Sequence, residues 1–200
     1  MSQWSYENAF TCARKVSDCL GKLSPKFPRS VEAITEYVLE HLKVTRGKYT
    51  PINFHPRIYE ARTFYGTIED SESKVDIYYD LNRNRCWKRF VITKELCQLL
   101  YGSSDNLHLS SSMEEVDSLL SQILAGIAMN QAASSEYAAI LMAIEVLLPH
   151  SERTNVDKII KNNGDAMTIA QHYLLPAQMV SCYLHGNYSG IAEKVAQVEL

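Results

Sequence analysis

The sequence lacks an apolar run long enough to cross a bilayer: its longest, such as Ile140–Leu148, is roughly half the length a spanning helix needs. The opening residues, Met-Ser-Gln-Trp-Ser-Tyr-Glu, have neither the basic nor the apolar region of a secretory signal. No charge of one sign dominates. Lys and Arg number 20 against 23 Asp and Glu, a net charge of -3, so nothing general draws the chain to nucleic acid or to an anionic membrane. The five cysteines (Cys12, Cys19, Cys86, Cys97 and Cys182) are scattered and show no zinc-ribbon or redox spacing. Reduced thiols in a cytoplasm are the expectation. A P-loop, a nucleophile elbow and a dinucleotide fingerprint are all missing, and neither Gly47 nor Gly66 belongs to a phosphate-cradling run.

What is present is an ordinary globular composition, 46% hydrophobic and 22% charged over 200 residues. That is enough to bury one core without staples, and a single domain over 1–200 is expected. Ala9, Phe10, Ala13, Val16, Leu20 and Leu23 recur at helical spacing, and Ser24-Pro25 then stops the helix. Ser30 is the expected N-cap of a second helix with its stripe at Ala33, Ile34, Tyr37, Val38 and Leu42. Past Pro51 and Pro56 the texture turns β-prone at Ile58-Tyr59, Thr63–Ile68 and Val75–Tyr79, with a polar turn over Glu69–Ser73. A small antiparallel sheet is the expectation.

Helical spacing returns at Phe90–Leu100. A serine-rich loop over Gly102–Ser112 follows, and then a helix from Ser112 to Met129 with a capping-box Glu115. Another helix starts at Ser134 or Ser135 and stops at Pro149. Two short ones occupy Ala166–Tyr173 and Ala177–Leu184, and residues 189–200 are expected as a frayed helix or flexible tail. The fold class expected is α+β, mostly helical.

Several of these segments resemble, in order, the ImmA/IrrE family of zinc-peptidase-like proteins. Phe27–Ile34 is similar to that family's early helix, and Ile77–Asp80 to the strand before its Arg-Phe-Thr-x-x-His-Glu-x-x-His helix. Arg89-Phe90-Val91-Ile92-Thr93-Lys94-Glu95-Leu96-Cys97-Gln98 occupies the place of that helix. Glu136–Pro149 looks like the family's Glu-x-x-Ala…Leu-Leu-x-Pro helix, although its spacing is slightly longer, and Ile169–Val180 looks like the usual ending. The resemblance implies a small sheet packed on a zincin-like helical core. It also implies a zinc held by two histidines four residues apart and a third ligand from a later helix, with a glutamate to polarise bound water.

At those positions stand Lys94, Glu95 and Gln98, with Glu136 at the third-ligand place. The general-base glutamate survives in type, as a vestigial catalytic residue, but both imidazoles are gone. An ammonium has three donors and no lone pair to give a dication. No metal is therefore assigned, no cofactor is expected, and the balance leans against an enzyme. Lys94 is expected either to pair with Glu136 or Glu95 in place of the missing cation, or simply to be solvated with Glu95 on an amphipathic helix whose Leu96, Leu99 and Leu100 are buried.

Members of the resembled family occur in phages and mobile elements, where they cleave or counter repressors and antitoxin partners. The first expectation is thus a catalytically inactive, cytoplasmic metallopeptidase-like protein that binds a repressor-like or antitoxin-like protein. Behind it come an active metallopeptidase with displaced ligands (zinc held by Glu95, Glu136 and distant histidines) and a structural or assembly protein. Nucleic acid is not an expected partner. The basic cluster Arg83, Arg85, Lys88 and Arg89 around Trp87 reads as a solvated loop and helix start, with Trp87 half buried. The helix-turn-helix texture of Asp165–Leu184 lacks any Lys or Arg in its second helix.

Overall fold

The computed structural model describes residues 6–23, 26–59, 66–101 and 131–198. Its elements are α1 (Tyr6–Leu23), α2 (Val31–Arg46), β1 (Ile52–Arg57), β2 (Gly66–Asp70), β3 (Val75–Asp80) and α3 (Arg85–Tyr101), then α4 (Gln131–Leu147), a 3-10 turn at His150–Glu152, α5 (Arg153–Lys161), α6 (Ala166–Tyr173), α7 (Ala177–Leu184) and α8 (Gly186–Val198). The architecture is mostly helical α+β, as composition and periodicity imply. The expected loop over Gly102–Ser112 and helix over Ser112–Met129 lie outside the described residues. No described helix is long and apolar enough to cross a membrane.

α4 is the centre. Every residue from Glu136 to Leu148 is buried, which a helix apolar on all sides must be. α1 and α3 pack on it, α2 packs on α3, and α8 returns against α1. There Phe10 meets Tyr188 edge-on at 5.0 Å.

Local chemistry sets the helix ends. Ser30 Oγ accepts from the Ala33 N–H at 3.0 Å and begins α2, and Gly47 closes it with φ of 66°, a left-handed turn that costs glycine nothing. At α3 the Asn84 side chain accepts from the Trp87 N–H. An Asp165–Thr168 capping box starts α6.

The sheet is mixed rather than antiparallel. Its order is β1-β3-β2: β2 pairs antiparallel with β3, and β1 runs parallel to β3 from Ile52↔Val75 to Arg57↔Asp80. The first strand lies between and across the two prolines, not at Ile58-Tyr59; Ile58 is exposed and outside the sheet. Ladder bonds explain why Pro56 is tolerated. Val75 N–H donates to Pro51 O and Leu81 N–H to Arg57 O, so odd-numbered β1 residues face β3 and Pro56 turns outward, where its missing N–H breaks no ladder bond. Residues 150–161, given no element from the sequence, form the 3-10 turn and α5, although Val156, Ile159 and Ile160 stand at helical spacing. The segment from 189, expected as a tail or frayed helix, is helical to Val198.

Two buried arginines lace the helices together. Arg89, expected on a solvated helix start, is instead buried, and Trp87 with it. Its guanidinium donates to Tyr173 O (2.8 Å), to Leu174 O (3.0 Å) and to Arg29 O. Arg29 in turn donates to Ser17 Oγ and Val146 O, both at 2.8 Å, and to Ser17 O. Five donors in a planar fork let each arginine tie segments distant in sequence. Burial pushes Arg89 down to about 10, still charged at neutral pH.

Glu145 is the buried acid of this end. It accepts from the His150 N–H (2.8 Å) and the Tyr188 hydroxyl (3.0 Å), and burial pushes its carboxyl up to about 7.

Replacing Arg89 by Met leaves those carbonyls without their donor. The expected cost in urea unfolding is about 2–4 kcal/mol, with Arg89→Lys recovering only part of it because an ammonium cannot span the same acceptors.

Candidate functional site

The middle of α3 meets the first turns of α4 through polar side chains. Lys94 Nζ lies 2.5 Å from Glu136 Oε1 and 2.9 Å from Glu95 Oε1, and Gln98 Nε2 donates to Glu136 Oε2 at 2.6 Å. The four residues singled out in the sequence therefore converge. Their spacing does the work on α3, where positions 94 and 98 stack one turn apart on a single face, so both reach the same carboxylate.

The solvated alternative fails. Lys94 is 3% exposed and Glu95 0%, while Leu99, expected to be buried, is only partly so. An ion pair this deep is worth keeping only if its charges are closely matched. Burial works against the Lys94 ammonium, but the charges of Glu136 and Glu95 outweigh it and hold its affinity for the proton above that of an ordinary lysine.

Glu95 is different. Burial pushes its carboxyl up, Lys94 pulls it back and Glu136 pushes it up again, to about 7. Glu95 thus titrates near neutrality within the cluster, where an ordinary glutamate has already lost its proton. Its Oε2 has no hydrogen-bond partner among the described residues.

The sheet contributes through a residue whose role is hidden in sequence. At Gly66 the β2 backbone comes so close to α3 that a Cβ would stand 2.3 Å from Val91 Cγ1 and 2.9 Å from Tyr78 O, with Glu95 Oε1 at 3.5 Å. Glu95 is thereby shut between α3 and the sheet. No periodicity or motif marks Gly66; only the close approach explains it. Arg89 lies nearly two turns N-terminal of Glu95 on α3 and anchors the first half of that helix.

The donor set does not suit zinc. Lys94 brings a cation and no lone pair, Gln98 a weak carbonyl oxygen already placed in an amide–carboxylate bond, and Glu136 is engaged by both. Among the described residues no group of three or more His, Cys, Asp or Glu is placed to hold a metal. Cys97, between the ligand positions, is buried, and desolvation raises its thiol well above the ordinary value. What the arrangement offers is a fixed positive charge where the resemblance implies a metal, beside a carboxyl that titrates near neutrality. No protein-family model and no curated protein matches this chain.

The pH dependence follows from Glu95. Its native value of about 7 lies above the ordinary 4.5, so between those two pH values the native state keeps a proton that the unfolded chain has released. Stability is therefore expected to fall as pH rises through this window. Glu95→Gln should flatten part of that fall, by on the order of 1–3 kcal/mol, in urea titrations between about pH 5 and 8. Glu145, shifted in the same direction, adds to the slope, while His150, lowered by burial, opposes it. Lys94→Met, which strands both carboxylates, should cost about 3–5 kcal/mol at pH 7 by the same measurement.

Proposed function

We propose that this chain is a catalytically inactive metallopeptidase-like protein, related in plan to the ImmA/IrrE proteins it resembles, and that it works by binding another protein. The observation that supports the reading is the Lys94 ammonium bridging Glu95 and Glu136, at positions where the resemblance implies a zinc. A lysine there does more than lose a ligand. It supplies the positive charge that the surrounding carboxylates need, so the helical frame stands without metal. The partner proposed is a repressor-like or antitoxin-like protein, in a phage or mobile-element setting and in the cytoplasm. Five free cysteines, two of them buried, accord with a reducing compartment.

The test is to restore the family's ligands. Lys94→His with Gln98→His places two imidazoles four residues apart opposite Glu136, and the double variant is expected to hold about one zinc per chain by elemental analysis, where the unaltered protein holds none. Adding Glu136→Ala should abolish that binding. Stoichiometric zinc in the unaltered protein would overturn the inactive reading. A folded double variant that ignores zinc would overturn the kinship with a metallopeptidase frame.

A further inference from the structure

The structure holds a second feature on the far side of the sheet from Gly66. Phe54 of β1 and Ile92 of α3 line a cleft of about 650 Å3 that also runs along α2. One wall is acidic, with Glu32 and Glu36 on α2; the opposite wall is basic, with Arg85 and Lys88 on α3. Among the described residues no ion pair within 4 Å joins the two walls. Phe54, Ile92 and Leu174 line the cleft between these charges, and Glu32 also acts on Arg89 at its floor without pairing with it.

Directly above this cleft is a sheet edge. β1 is terminal in the order β1-β3-β2, and among the described residues nothing pairs with its outer side. Because the odd-numbered residues bond to β3, the outward groups are the N–H and C=O of Ile52 and Phe54 and the C=O of Pro56. Successive side chains of a strand point to opposite faces. A strand added here would therefore send every second side chain down, on the face of Phe54, into the cleft between α2 and α3.

We infer that β1 and this cleft form a docking site for an extended segment of another protein, which adds to the sheet as a fourth strand. Backbone bonds to Ile52, Phe54 and Pro56 hold the segment, and alternate apolar side chains pack on Phe54 and Ile92. Basic residues of the segment face Glu32 and Glu36, and acidic ones face Arg85 and Lys88. The inference rests on the protein-binding reading above and supplies the form of the partner. It does not depend on the Lys94 cluster, so its test and the zinc test fail separately.

The experiment uses the full chain and a displayed library of random peptides about ten residues long. Enrichment of peptides with alternating apolar residues is expected. The best of them should slow amide exchange at Ile52 and Phe54 by at least about tenfold while changing Asn53 and His55, already bonded to β3, far less. N-methylation of alternate peptide amides should remove binding. Thr35→Arg, which fills the cleft from a half-buried position on α2 outside the buried core, should weaken binding at least about tenfold at unchanged melting temperature. Arg85→Glu with Lys88→Glu should turn selection from acidic to basic residues at that end. Any of three results would overturn the inference: no enrichment over the Thr35→Arg protein, peptide binding without protection at Ile52 and Phe54, or protection of those amides by self-association without peptide.

Discussion

One ammonium group governs how the two central helices meet. Lys94 is buried against Glu95 and Glu136, and a charge so placed cannot be left without its partners. The first turns of α4 must therefore stay on the middle of α3, and Gln98 binds the second oxygen of the same carboxylate. On the other side the sheet presses down at Gly66 with no room for a side chain. Helix, helix and sheet are thus registered at one point, and the apolar contacts of α4 spread outward from it.

The protein handles buried positive charge in two ways. Lys94 is matched by carboxylates, whereas Arg89 and Arg29 give their hydrogen bonds mainly to backbone carbonyls and to Ser17. The first arrangement responds to pH, because Glu95 titrates within it. The second does not, since a guanidinium lowered by burial still stays charged across the neutral range. The Arg29 and Arg89 charges therefore persist across that range, although Glu145 near Arg29 titrates within it, and both arginines line the cleft beneath β1.

Much of this was legible in the sequence where the signal is local. The Ser30 cap, the stop after Leu147 at Pro149 and the spans of α6 and α7 depend on residues within a turn of the boundary, and they lie where spacing places them. The meeting of Lys94 with Glu136 was one of two readings, and burial decided between them. Signals that depend on tertiary context were missed. Pro56 reads as a breaker until its outward position on an edge strand is known. Arg89 reads as solvated because its acceptors are carbonyls 60 and 84 residues away, invisible to any pattern of side chains. The parallel pairing of β1 was hidden for the same reason: strand texture carries no direction, and β3 inserts between two strands that precede it.

The bonds around α4 bear on the order in which the chain becomes itself during synthesis. Val146 O is held by Arg29, 117 residues earlier, while Glu145, its neighbour, waits for the hydroxyl of Tyr188, 43 residues later. As α4 leaves the ribosome its N-terminal partners already exist, but the residue that covers its buried acid has not yet been made. Contacts of such long sequence separation form late. The most apolar of the described helices therefore passes through a stage in which one side is open to solvent, and α8, which carries Tyr188, is the piece that closes it.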